Sequence, residues 1–316
     1  MKILIAEDDL ISLRMLEKTL ADWKYSVYKA SDGEKAWQLL QKHKFRIVIL
    51  DWMMPEFNGI DLCKKIRKNG NDRYTYIILL TSKDDSTDVI EGLMAGADDY
   101  IIKPFNPQEL KARLQTGRRI IRLETELLIT QKRLHNMATK DSLTKILNRE
   151  AILQILDEEH SRSNRENSSY STIMIDIDDF KHINDSFGHQ IGDKVLFEVT
   201  SRLKKKLRKY DKIGRYGGDE ILVVLPNCIC GELERIARRL CDAVNNEPIG
   251  TAKGPISVTI SLGGISSINI QKPSSQQMLI ESDVALYEAK RRGRSRFAVV
   301  TRKNIEGGVN YGPPKT

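Results

Sequence analysis

A doubly wound parallel α/β sheet of five strands, then a long helix, then a second domain of mixed strands and helices is the architecture predicted by these 316 residues. Three observations predict it. Over residues 1–106 short apolar runs alternate with amphipathic ones, the pattern of repeated β–α units. Over 107–139 an apolar residue recurs at spacings of three and four. Beyond 140, two apolar runs of strand length adjoin carboxylates, at Asp176 and at Asp219–Glu220.

Composition bounds the rest. An apolar content of 40% is enough for two domains with separate cores. No apolar run approaches the roughly 20 residues of a membrane span, so no membrane partner is expected. MKILIAEDDL is a short strand followed by acids, without the layout of a signal peptide, and the expected location is cytoplasmic. Cys63, Cys228, Cys230 and Cys241 show no CxxC spacing, which points to single thiols in a reducing compartment. The net charge of +8 invites a nucleic-acid partner. Its placement argues otherwise: residues 111–140 carry eight Lys or Arg against Glu124 and Glu126, a basic helix between domains. With no helix-turn-helix pattern and no zinc finger, no nucleic acid is expected.

In the first domain, strands are expected at 2–6, 26–30, 47–50, 77–81 and 100–102, with helices at 11–20 and 33–42. Such a sheet binds at the carboxyl ends of its strands. Glu7 and Asp8 end the first strand, Asp51 the third and Thr81 the fourth; Lys103 follows the fifth, ahead of Pro104. A lone acid there is usually a helix cap. Three acids in one crevice repel unless a cation joins them, so Mg²⁺ is implied.

The stretches ILIAEDD, ILDWMMPEFNGIDL, LLTS and DDYIIKPF resemble response-regulator receiver domains. The resemblance implies that Asp51 accepts a phosphoryl group from a cognate histidine kinase. It implies that Glu7, Asp8, Asp51 and the Met53 carbonyl hold Mg²⁺, and that Lys103 pairs with the acyl phosphate. Thr81 and Tyr100 would be the switch pair. A phosphoryl group adds charge and acceptor oxygens at one point, enough to bias a bistable loop.

The connector 107–139 is expected as one helix, with Asn106 as its cap and Pro107 in its first turn. Ile120, Leu123, Leu127, Thr130, Leu134 and Met137 form a heptad seam, read as a short parallel coiled coil between two chains. The alternative is a helix packed on its own domain. Gly117 precedes the seam, so the pairing should be weak and adjustable.

The second domain opens with DSLTKILNRE at 141–150, followed by a helix, a polar loop at 161–169 and a strand at 171–175. DIDDFKHINDSFGHQIGD comes next, where Asn184, Gly188, Gly192 and Asp193 suggest a turn-rich pocket. RYGGDEILVVLP at 215–226 is a hairpin with Asp219 and Glu220 at its tip. Gly217 and Gly218 have no Cβ, so a base or phosphate can approach the backbone, and the acids suit a hard cation. An ordinary Gly-Gly turn with solvated acids is the alternative on those residues alone.

Taken together, 140–300 resembles the GGDEF family of diguanylate cyclases, with Ile221 where the signature has Phe and Lys145–Ile146 where Gly-Leu is usual. The resemblance implies an α+β fold like nucleotidyl cyclase and polymerase palms, and condensation of two GTP to cyclic di-GMP by a dimer. Asp176, the Ile177 carbonyl and Asp219 would bind Mg²⁺ or Mn²⁺. Glu220 would act at the metal or on the attacking hydroxyl. Asn184 and Asp193 would read the guanine edge, with Lys181 near the phosphates. Lys290 and Arg294, in YEAKRRGRSR, would face the triphosphate one helical turn apart. Arg208 and Asp211 fit the family's RxxD product-binding site, and Arg239 a second product-binding arginine. A silent domain serving as a GTP or cyclic di-GMP receptor is the other reading. The expected divisions are 1–106, 107–139, 140–302 and a disordered Gly/Pro-rich tail, 303–316.

Overall fold

The computed structural model describes residues 1–69, 73–82, 86–270, 273–300 and 310–311. The chain divides into two compact units, 1–132 and 133–316.

In the first unit, β1 (Lys2–Ala6), β2 (Ser26–Ala30), β3 (Ile47–Asp51), β4 (Tyr76–Thr81) and β5 (Asp99–Ile102) form one sheet in the order β2-β1-β3-β4-β5. All its pairings are parallel. The central strands β1, β3 and β4 are almost wholly buried because both sheet faces are covered, whereas the edge strand β2 is half-exposed. Leu4, Val48, Leu50, Ile77 and Leu79 pack toward α2 (Gly33–Lys42) and α3 (Gly59–Lys68). Ile3, Ile5, Ile47, Ile49 and Leu80 pack toward α1 (Leu10–Asp22) and the start of α5 (Pro107–Thr139). Asp9, Asp32 and Asn58 cap α1, α2 and α3 through side-chain acceptors, which locks each β–α turn. Helices α3 and α4 (Ser86–Met94) add to the two helices expected in this domain. At Gly59 a Cβ would run into the Asp51 carbonyl, so glycine lets α3 start against the end of β3.

Helix α5 has the expected bounds. Its first half packs on the first unit: Leu110 and Leu114 are buried, and Ile120 and Ile121 lie partly against the same core. Gly117 is a contact point rather than a flexible one, since a Cβ there would meet the Tyr76 ring. The seam is therefore shorter than its heptads suggest. Ile120 is taken up by its own domain, while Leu123, Leu127, Leu134 and Met137 are 53–68% exposed.

The second unit is α+β. β6 (Tyr170–Ile177), β7 (Lys212–Arg215), β8 (Glu220–Pro226), β11 (Ile260–Ser266), β12 (Phe297–Val300) and β13 (Asn310–Tyr311) form a sheet in the order β13-β12-β11-β6-β8-β7. A small hairpin of β9 (Ile249–Thr251) and β10 (Gly254–Ile256) stands apart from it. One sheet face carries Ile173, Ile175, Ile221 and Val223 against α8 (His189–Lys206) and α9 (Cys230–Asn245). The other carries Met174, Leu222 and Val224 against α6 (Arg149–Glu166) and α10 (Ser275–Arg291). The polar loop expected from 161 is mostly helix. α6 continues to Glu166 because Arg162 pairs with Glu159 and Glu166 one turn to either side, and Ser163 is buried. The expected disordered tail lies outside the described residues, apart from Asn310–Tyr311, which pairs with β12.

Lys145 adopts a left-handed φ of +59°, which explains why the resembled pattern has glycine there. Lys145→Gly should relieve that strain, partly offset by a more flexible unfolded chain, for a net gain of about 0.5–1 kcal/mol. Thermal unfolding of the variant should shift up by roughly 1–4 °C, and a lower midpoint would show that the Lys145 contacts outweigh the strain.

Candidate active site and phosphoacceptor site

At the carboxyl edge of the first sheet, Glu7, Asp8 and Asp51 present ligand atoms within 4.8 Å of one another. Glu7 is fully buried and Asp51 nearly so. Lys103, beyond β5, places its ammonium 2.8 Å from Glu7 and 2.9 Å from Asp51. Burial pushes the Glu7 carboxyl up to about 7 against the pull of Lys103. Burial also raises Asp51, again opposed by Lys103. One ammonium among three carboxylates leaves an excess of negative charge, and this donor set fits a hard divalent cation. Thr81 is buried at the end of β4, Tyr100 is half-buried in β5, and Met53 follows Trp52 with an exposed side chain. Glu7, Asp8, Asp51 and Lys103 thus converge on one strand edge, with Thr81 at the end of the neighbouring strand.

In the second unit the chemistry sits where β6 ends and the antiparallel β8 begins. Asp176 is paired in register with Glu220, and Ile177 closes β6. Asp219 is half-buried at the hairpin tip, between Glu220 and exposed Gly218. Burial lifts Asp176 to about 6; a hydrogen bond from Lys290 opposes this, and the Asp219 charge adds to it. Among the described residues only Glu7, Asp8 and Asp51 bring three ligand atoms within 4.8 Å of one another; Asp176, Asp219 and Glu220 neighbour each other without gathering that closely.

Beside these acids lies a cleft of about 470 Å³ lined by Phe180, Lys181, Asn184, Asp193, Gly218 and Asp219, among others. The turn-rich pocket expected here is two helices, α7 (Phe180–Phe187) and α8, with a break at Gly188. Ile183, Ile191 and Val195 belong to the core on that sheet face, which favours helices over loops. A Cβ on Gly192 would collide with the Asn184 amide, so glycine lets the two helices close and puts Asn184 and Asp193 on one wall.

One expectation needs correction. Lys290 and Arg294 are not one helical turn apart, because α10 ends at Arg291 and residues 293–295 all have positive φ. Lys290 lies 2.8 Å from Asp176 instead, and Arg294 3.7 Å from Asp179. Sequence reasoning also missed Arg215. Its guanidinium donates to the Gly217 and Gly218 carbonyls and lies 3.1 Å from Asp141, fastening the hairpin tip to the DSLT loop. The sequence signal was an Asp and an Arg at the starts of two separate motifs, and nothing local joins them.

Arg208 and Asp211 close a tight turn after α8, with the Arg208 N–H donating 2.7 Å to the Asp211 carboxylate. Asp211 is buried, and burial raises its carboxyl while the Arg208 and Arg239 charges oppose this, so these residues form one electrostatic group. The Arg208 guanidinium is engaged by Glu232 and by the Tyr210 hydroxyl. No helix among the described residues is long and apolar enough to cross a membrane.

Residues 138–296 match the family model for the diguanylate cyclase GGDEF domain, and residues 3–115 that for the response regulator receiver domain. The response regulator PleD of Caulobacter vibrioides is 32% identical over 267 residues, 84% of this chain, which spans 58% of that protein's length. The coiled coil and GGDEF domain of DgcB from Caulobacter crescentus, solved in complex with c-di-GMP, superposes with a TM-score of 0.53 at 25% identity, covering 60% of this chain and 99% of that one. The diguanylate cyclase SiaD of Pseudomonas aeruginosa, solved with its activator SiaC, gives 0.51 at 32% identity over 61% of this chain and 73% of that one. A receiver fold with its acids at the strand ends, followed by a palm-like sheet whose acid-tipped strands flank a cleft, agrees with these matches throughout: the chain belongs to the GGDEF diguanylate cyclase family and carries a response regulator receiver domain ahead of its GGDEF domain.

Proposed function

We propose that the protein is a phosphorylation-activated diguanylate cyclase that condenses two GTP molecules, one per chain of a dimer, to cyclic di-GMP and two pyrophosphates. The observation that carries this reading is the single cleft that gathers Lys181, Asn184, Asp193, Gly218 and Asp219 beside buried Asp176. Asp193 and Asn184 take the guanine edge: a carboxylate accepts from N1–H and the exocyclic amine, and the amide serves the neighbouring polar atoms. Gly218 leaves room for the nucleotide at the hairpin tip, while Gly217 makes room for the Glu220 carboxylate. Lys181, Lys290 and Arg294 supply positive charge to the triphosphate. Asp176, the Ile177 carbonyl, Asp219 and Glu220 would hold Mg²⁺ or Mn²⁺. When bound, the cation stabilises charge on the phosphoryl oxygens and favours ionisation of the attacking 3′-hydroxyl. Glu220, opposite Asp176, would also receive that proton.

Each 3′-hydroxyl attacks the α-phosphorus of the other nucleotide in line, and pyrophosphate leaves. One chain holds half of the reaction, so two must meet. The connector 107–139, with its exposed leucines, is the pairing element. A histidine kinase would phosphorylate Asp51, and rearranged Thr81 and Tyr100 would create a second, two-fold contact that raises the effective concentration of the GGDEF domains. Arg208, Asp211 and Arg239 would bind the anionic product and slow the enzyme as it accumulates.

Incubation with GTP and Mg²⁺ tests the proposal. Release of pyrophosphate together with cyclic di-GMP is expected, whereas GTP binding without pyrophosphate would identify a receptor. Asp193→Ala should lower the preference for GTP over ATP by roughly 10²-fold, because a site built to pair polar groups loses discrimination with the pairing group. Unchanged selectivity in competition assays would put the guanine pocket elsewhere.

A further inference from the structure

Beyond the residues already given roles, Asp178 stands out. It lies two residues past Asp176, is 6% exposed and meets no basic side chain among its hydrogen-bond donors. Thr259 and Ser261 each donate a hydroxyl at 2.7 Å, and the Ser295 backbone N–H donates at 3.0 Å. A carboxylate is an acceptor on all sides, so it suits three converging donors; an amide would turn its own N–H₂ against one of them.

The third donor ties Asp178 to an unusual turn. Gly293, Arg294 and Ser295 have φ of +107°, +56° and +52° in succession. Two non-glycine residues in the left-handed region persist only where the surroundings over-determine them, and such strain gathers at functional sites. Asp178 holds the Ser295 N–H, and the Asn245 amide at the end of α9 donates 3.0 Å to the Ser295 hydroxyl. Arg296 donates 3.0 Å to the Arg294 carbonyl. The clasp leaves the Arg294 guanidinium 3.7 Å from Asp179, at the start of the helix that lines the cleft. Had α10 continued, residue 294 would point along a helix face instead.

We propose that Asp178 is a positioning residue: its buried carboxylate clasps the left-handed turn at 293–295 and so fixes Arg294 at the triphosphate end of the cleft, joining the metal-binding strand to the phosphate-binding arginine. Asn245 acts in the same clasp from α9. The inference rests on the reading that Arg294 meets the triphosphate.

The test uses the full-length protein and 3′-deoxy-GTP, which lacks the attacking hydroxyl and so reports binding without turnover. Arg294→Ala should weaken its binding, and Asp178→Asn should weaken it by roughly tenfold, the scale of a lost hydrogen bond to a charged group. Asn245→Ala should weaken it about threefold, the scale of a neutral hydrogen bond, and keeps the proposal testable if the Asp178 variant does not fold. In GTP turnover the same variants should raise KM more than they lower kcat. On the Arg294→Ala background neither substitution should weaken binding further, because the group they position is gone. A purely structural role would lower the folded fraction and leave the binding constant of the folded molecules unchanged; that result overturns the proposal. A full tenfold loss on the Arg294→Ala background would show that Asp178 acts elsewhere and also overturns it. If Arg294→Ala itself binds 3′-deoxy-GTP normally, the assignment of Arg294 fails first, and the clasp has no function to serve.

Discussion

Asp219→Asn is expected to cut cyclic di-GMP formation by roughly 10³-fold, as suits the loss of a cation ligand at a charge-developing site. Glu220→Gln should act in the same direction. The fold should survive both changes. Asp219 is half-buried at a hairpin tip, and the hairpin is held by backbone pairing and by Arg215 on the Gly217 and Gly218 carbonyls. Removing the Asp219 charge also relieves Asp176, whose carboxyl stands near 6, through burial first and that charge in addition. A carboxyl raised by folding contributes stability that is complete below its unfolded value of 3.8 and is lost as pH rises through 6. The Asn variant should therefore lose less stability than the parent across that window when metal is absent. Turnover at the parent rate with unchanged Mg²⁺ dependence would remove Asp219 from the site. A thermal midpoint that collapses at every pH would instead make it structural.

Asp51→Asn should abolish the response to an acyl-phosphate mimic such as beryllofluoride while sparing basal turnover. Asn has nearly the volume of Asp, and Lys103 keeps its partner Glu7 at 2.8 Å. Losing one of three clustered carboxylates lessens repulsion, so the receiver should stay folded. In the parent, specific activity should climb with protein concentration. The mimic should flatten that dependence and raise activity at low concentration by roughly tenfold or more, a modest differential stabilisation of the active dimer. Leu127→Asp should depress both states, since Leu127 is an exposed residue of the connector seam. An Asn variant that responds fully, or activation of a protein that stays monomeric, would falsify control through assembly.

Much of this was legible in the sequence, because the signals are local. A strand buried on both faces is a nearly unbroken apolar run, so β1 carries the bounds expected of it and β3 and β4 differ by one residue each. The half-exposed β2 and helix α2 also keep their expected bounds, and β5 differs by one residue. Strand ends follow from where the apolar runs stop, and with them the acids of both sites. The Asn106–Pro107 start and the heptads of 120–137 together gave α5 end to end. Helix α6 went astray because Ser, Asn and Arg at 161–166 read as a loop locally, yet ion pairs one turn apart and the buried Ser163 hold them helical.

The tertiary structure alone decided how these pieces meet. No spacing in the sequence seats Lys290 on Asp176, fastens Arg215 to Asp141, or binds Asp178 to Ser295 across more than a hundred residues. The helical period carried on to Arg294, but the chain turns left-handed at Gly293. The sequence by itself determined which chemistry each strand end carries, since burial pattern and side-chain type are properties of short segments. Which of those groups touch, and which glycines must be glycines because another element passes close by, was left to the packing, since contact between distant segments is fixed only when the whole sheet and its helices close together.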